Sequence, residues 1–172
     1  MSSASLSILV GKNFACVRIR GRANFACSPD FKTLLNELGQ KGYAHFIIDL
    51  NECVLMDSTF LGVLAGFGMK LNSSCRPDGR GLELHNPSAR VAELLENLGA
   101  AHLFKISSGP LQLPQDVHTS VPESKSPSHE EIARTSLEAH ETLMAMNPEN
   151  VARFKDVAQF LAEDLKSLEK SS

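Results

Sequence analysis

Residues Asp49 to Gly68 read DLNECVLMDSTFLGVLAGFG, and the order of chemistry along them decides the fold. The apolar run His45 to Leu50 (HFIIDL) leads into this stretch and has the compactness of a strand covered on both faces. A short loop follows, and the spacing predicts an abrupt helix start at Met56-Asp57-Ser58-Thr59. Asp57 is placed to cap that helix, its carboxylate accepting from the amide of Thr59 or Phe60. Ser58 and Thr59 then fall in the first turn, where backbone N–H groups are unpaired and the helix dipole is positive. Phe60, Leu61, Leu64, Phe67 and Leu71 recur at helical spacing. Gly62 and Gly66 lie four apart on one stripe of this helix. Each costs about 1 kcal/mol relative to alanine in an ordinary helix, so the stripe predicts a neighbouring element in close approach.

Outward from this unit, strand and helix signals alternate. Leu6 to Val10 and Phe14 to Arg20 are short alternating runs around Gly11-Lys12-Asn13, which predicts a hairpin with Ala15, Val17 and Ile19 on the core face. Phe14, Cys16 and Arg18 take the other face. Ser28 as N-cap with Pro29 at the first helical position opens a helix carrying Phe31, Leu34, Leu35 and Leu38, with Gly39 as its expected stop. Gly81 to His85 reads as a strand. Asn86-Pro87-Ser88 caps a helix bearing Val91, Leu94, Leu95 and Leu98 that ends at Gly99, and Leu103 to Ile106 closes the series. The order β-β-α-β-α-β-α-β implies a mostly parallel sheet that begins with an antiparallel hairpin.

Charge and proline then divide the chain. Residues 1–110 carry 11 basic and 9 acidic side chains, and residues 111–172 carry 6 and 11. Between Ser107 and Pro127 stand four prolines (Pro110, Pro114, Pro122, Pro127), which exclude a helix or a central strand and predict an extended linker. Beyond it, Ser128 with Glu131 makes a capping box for a helix to about Met146, and Asn147-Pro148 caps a second helix. There Val151, Phe154, Ala158, Leu161, Leu165 and Leu168 form a seam at three- and four-residue spacing. The expected organisation is a domain over 1–106, a Pro/Ser-rich linker over 107–127 and a helical hairpin over 128–170. Two helices bury little surface alone, so the hairpin is expected to pack on the first domain or on a second copy, which leaves a homodimer through the C-terminal helices open.

Composition narrows the function class. The chain has 172 residues, 42% hydrophobic and 22% charged, with a net charge of −3. That charge is too small to draw it to nucleic acid or anionic lipid by field alone. No apolar run approaches the roughly 20 residues of a membrane span, and Met1 to Ser7 lacks a signal-peptide pattern, so a cytoplasmic protein without membrane insertion is expected. Cys16, Cys27, Cys53 and Cys75 have no CxxC spacing, and they read as small hydrophobes in a reducing compartment. The expectation is no metal and no cofactor. Glu130, Glu131, Glu138, His140 and Glu141 read as a solvated acidic helix face, and Gly79-Arg80-Gly81 lacks the context of a phosphate loop. Ser58 has no histidine beside it in sequence, and no catalytic residue is assigned. A small enzyme acting through Ser58 and a histidine brought close by folding stays the weakest of three readings.

Two motifs carry a family resemblance. DLNECVLMDSTFLGVLAG (49–66) is similar to the signature of STAS domains, and in particular of the anti-sigma-factor antagonists, and NPSARVAELLENLG (86–99) matches a later one. The resemblance covers residues 5–106 and leaves the linker and the C-terminal helices unrecognised. It implies an α/β fold with a four- to five-stranded mixed sheet and helices packed on it, here followed by the α-helical hairpin. It also implies a non-enzymatic partner switch, in which an anti-sigma factor or switch serine kinase is bound until the kinase phosphorylates the serine after the motif aspartate. That serine is Ser58, with Thr59 as the alternative acceptor. Asp57, Ser58, Thr59, Phe60 and Gly62 would form the partner-binding surface. Phe60 departs from the family, which has glycine at that position; it either plugs into the core or projects into the partner and restricts access to Ser58. Phe60 and the extra hairpin support the alternative, an accessory STAS subunit of an ABC-type membrane transport complex that works without phosphate.

Overall fold

The computed structural model describes residues 4–43, 45–73, 82–111, 113 and 117–170. Among the described residues, six strands form one sheet: β1 (Ser5–Val10), β2 (Phe14–Ala23), β3 (His45–Met56), β4 (Leu82–His85), β5 (Phe104–Ser107) and β6 (His118–Ser120). Their order across the sheet is β5-β4-β3-β2-β1-β6. The β1–β2 and β1–β6 pairs are antiparallel, whereas β2–β3, β3–β4 and β4–β5 are parallel. Five α-helices accompany them: α1 (Ser28–Gln40), α2 (Ser58–Ser73), α3 (Ala89–Asn97), α4 (His129–Met146) and α5 (Glu149–Lys170).

The alternation along β2 sorts its side chains as expected. Ala15, Val17 and Ile19 join the main core with Phe46, Ile48 and Leu50 of β3. Against them pack Phe31, Leu34, Leu35 and Leu38 of α1 and Phe60, Leu61, Leu64, Phe67 and Leu71 of α2. Each fully buried side chain of this size stabilises the fold by about 1.5–3 kcal/mol. The opposite face of the sheet holds a smaller cluster of Leu9, Phe14, Cys16 and Ile47. Burial there pushes the Cys16 thiol up to about 12, and Cys53 on the other side is pushed up to about 11 for the same reason. Asp49, also buried, is paired with Arg18 at 2.9 Å.

Three local expectations are corrected. The sheet gains a sixth strand because residues 118–120, expected in the linker, pair with the edge strand β1. Leu111, Leu113 and Val117 also pack on the smaller cluster, so the described residues of the proline-rich stretch lie as a strap over the back of the sheet. Proline is tolerated there because a strap and an edge strand donate few ladder hydrogen bonds. Helix α1 passes Gly39, which sits against Phe67, and the turn comes at Gly42, whose φ is +76°. Ser28 is the first helical residue rather than the cap, and its hydroxyl donates to the Phe25 carbonyl at 2.7 Å. The caps at Ser88 and Ser128 are as expected, each hydroxyl accepting from the amide three residues on. Cys75 and Gly79-Arg80-Gly81 lie outside the described residues.

The hairpin folds back onto the domain. α4 packs against α5 and across α2. From the α5 seam, Ala158 and Leu165 are buried and Phe154 packs on the main core, while Val151 is exposed. Among the described residues, no helix is long and apolar enough to cross a membrane.

Candidate functional site

The site is built where β3 hands over to α2. Asp57 ties three elements at this junction. Its amide donates to the Ala23 carbonyl at 2.9 Å, which holds it to the end of β2. One carboxylate oxygen accepts from the Phe60 amide at 2.8 Å, the cap that the sequence predicts. The other accepts from the Phe25 amide at 2.7 Å, in the connection from β2 to α1. Burial raises the Asp57 carboxyl above its ordinary range, and the amide donors of Phe60 and Phe25 offset part of that rise.

Because the aspartate does the capping, the next hydroxyl has no local task. Ser58, half-buried, reaches across to α4, where its Oγ lies 2.8 Å from Nε2 of His140. The Nδ1 atom of that ring is 2.7 Å from the Ser136 carbonyl. A carbonyl only accepts, so Nδ1 carries a proton; in the neutral ring Nε2 is then the acceptor and Ser58 donates. Thr59 makes a parallel contact, its hydroxyl 2.8 Å from that of Ser136, with both side chains buried. His140 is only 4% exposed and its ring meets Phe154 edge-on at 4.9 Å.

Phe60 resolves the question that its presence raised. It is 0% exposed and stacks on Phe31 with ring centroids 4.1 Å apart and planes 13° from parallel. Its side chain is core and offers no surface to a partner, which corrects its place among the expected partner-binding residues. Gly62 meets the expected close neighbour. A Cβ on it would lie 2.5 Å from the Ala139 carbonyl oxygen and 2.6 Å from the Ala139 Cβ, so only glycine lets α4 approach this closely. Gly66 is looser, with the nearest atom of Thr142 at 3.9 Å.

The acidic-face reading of 130–141 is half right. Glu131, Glu138 and Glu141 are exposed, but His140 is buried against α2 and belongs to the site. Ser136 and His140 are the site residues that sequence reasoning missed. The available signal was the stripe Ala133, Ser136, His140, Leu143, which repeats at three and four residues and marks an inward face of small and polar side chains. A serine hydroxyl on an oriented imidazole is also the start of a nucleophile–base pair, but here the ring is covered by α2 and Phe154 rather than open to a substrate. Among the described residues there is no group of three or more His, Cys, Asp or Glu that could hold a metal ion.

The model of the STAS domain family matches residues 6–110, more than half of the chain. The protein belongs to the STAS domain family. One solved structure supports the fold, and two more are similar in part. A Thermotoga maritima protein assigned as an anti-sigma factor antagonist superposes with a TM-score of 0.52 at 22% identity, over 58% of this chain and 83% of that one. The anti-sigma factor antagonist SpoIIAA in its unphosphorylated form gives a TM-score of 0.47 at 16% identity, over 64% and 90%. SpoIIAA of Bacillus in its phosphorylated form gives 0.47 at 18%, over 60% and 90%. No curated protein matches the chain. α4 and α5 fall outside the residues that the family model covers.

Proposed function

We propose that this STAS protein is a cytoplasmic, non-enzymatic partner switch of the anti-sigma-factor-antagonist kind, with Ser58 as its phosphoacceptor. Its partner would be an anti-sigma factor or switch serine kinase that docks on the first turns of α2, around Asp57, Ser58, Thr59 and Gly62. The observation that carries this reading is the Ser58 hydroxyl itself: in the first turn of α2, partly exposed, and released from capping by Asp57. Thr59 is the poorer acceptor, being 4% exposed and held by Ser136.

The electrostatics suit a switch. A phosphate brings about −1.5 to −2 charges, which the helix N-terminus tolerates but which adjoin the half-buried Asp57 carboxylate. Inside a complementary interface that charge adds repulsion and desolvation, and about 1.4 kcal/mol is already tenfold in affinity. With Phe60 in the core, one of the two features that favoured a phosphate-free transporter subunit is gone, and the hairpin is the other. Intact-mass analysis of the protein purified from its own cells, with peptide mapping, tests the proposal. A fraction heavier by one phosphate, about 80 Da and located on Ser58, is expected. A chain that stays unmodified at Ser58 under every growth condition, while its cognate kinase is present, contradicts it.

A further inference from the structure

We infer that the α4–α5 hairpin is a lid that holds the partner-docking face of α2 in cis, and that negative charge on Ser58 lifts α4 off. This rests on the switch reading of Ser58 and supplies its regulation.

Three observations point to a removable element. First, α4 covers the residues assigned to docking: Ser58 by His140, Thr59 by Ser136 and Gly62 by Ala139. A partner and α4 cannot occupy that surface together. Second, the contact has the composition of a separable interface. α4 presents Ser136, Ala139 and His140 to α2, and its apolar contacts with the main core, Leu143 and Met146, lie lower on the helix. Polar contacts between units of one chain favour relative motion, whereas α1 meets α2 through Phe31 stacked on Phe60 and Gly39 against Phe67. A half-open groove of about 200 Å³ also runs between α1, α2 and α4, lined by Lys32, Leu35, Gly66, Lys70, Glu138 and Thr142. Third, the hairpin has a separate anchor at its other end. Asn150, fully buried, donates from Nδ2 to the Leu98 carbonyl at 2.9 Å and to the Leu143 carbonyl at 2.8 Å, and Asn147 sits against Gly99. α4 can leave the latch at Ser58 while the Asn147–Asn150 turn stays seated.

The latch is incompatible with a phosphate. With Nε2 only 2.8 Å from Oγ, a tetrahedral group on that oxygen must displace the imidazole, whatever charge the ring takes up. The same geometry hinders an incoming kinase while the lid is closed. Opening therefore precedes modification, and the phosphate then keeps the lid from reclosing.

The test uses the full chain with Thr135→Cys as a reporter, because Thr135 is 6% exposed under the lid. Alkylation is followed at each cysteine by mass spectrometry, and Cys16, buried on the far face of the sheet, reports global unfolding. Adding Ser58→Asp should speed alkylation of the introduced thiol by about tenfold or more with no change at Cys16, the pattern of local opening. Ala139→Gln, which wedges α4 away from Gly62 without touching Ser58, should do the same. An unchanged rate with Ser58→Asp overturns release by charge. Equal acceleration at both thiols overturns a separable lid, since the hairpin would then open only with the whole fold. Because Ala139→Gln leaves Ser58 intact, a chain never phosphorylated in its cells would defeat the switch reading while this arm still reported the lid.

Discussion

Helices α2 and α3 both begin just after a parallel strand, and both place a serine at the entry, yet the two hydroxyls do different work. Ser88 spends its oxygen on its own helix, accepting from the Val91 amide at 3.2 Å. At α2 that duty falls to Asp57 one residue earlier, which accepts from Phe60 and from Phe25 together. Ser58 is left to bond outside its own helix, and it does so with His140, 82 residues away. Moving the cap from hydroxyl to carboxylate thus separates holding the helix from making the contact. A hydroxyl that caps nothing in its own helix can be modified without melting the turn that carries it.

Substitutions at these two entries rank in a definite order. Phe60→Ala removes a ring that stacks on Phe31 in the core, and denaturant unfolding should show a loss of about 3–5 kcal/mol. A loss below about 1 kcal/mol would place that ring outside the load of the core. Asp57→Ala frees the Phe60 and Phe25 amides together and should cost about 1–3 kcal/mol, more than any single cap. Ser88→Ala should cost about 1 kcal/mol, the ordinary value of a serine cap. Ser58→Ala should cost less than Ser88→Ala, because its bond crosses to a removable helix and caps nothing. The reverse order of the two serines would break the comparison.

The smallest effect concerns pH. Burial raises the folded-state pKa of Asp57 above its unfolded value, so its contribution to stability is full below the ordinary carboxylate range and is lost as pH rises through the raised value. The stability gap between the wild-type chain and Asp57→Ala should therefore widen as pH falls from neutrality into the carboxylate range. A gap that narrows would mean that the Phe60 and Phe25 amides outweigh burial.

Most of the fold was legible because it is written in local spacing. Phe31, Leu34, Leu35 and Leu38 mark α1, and Phe60 to Leu71 mark α2, since each helix buries one face and burial imposes the period. Gly99 ends α3 at a φ of +70°, as its position suggests, but Gly39 misleads because close packing against Phe67 and a helix stop both select glycine. Strand β6 was hidden because an exposed edge strand of three residues needs no apolar alternation. Half of the site was legible: Asp57, Ser58 and Gly62 sit in one motif, and the motif implies a neighbour. The neighbour was not. Ser136 and His140 lie among glutamates on a helix whose polarity reads as solvent exposure, and a contact over some 80 residues leaves no periodic trace.

One titration bears on the central claim that charge at Ser58 governs what rests on α2. With the lid held open in both chains by Ala139→Gln, the affinity of the cognate serine kinase for full-length Ser58→Ala should exceed that for Ser58→Asp by about tenfold or more, the equivalent of about 1.4 kcal/mol. Equal affinities would show that the entrance to α2 does not respond to charge, and would leave this protein a STAS fold without a switch.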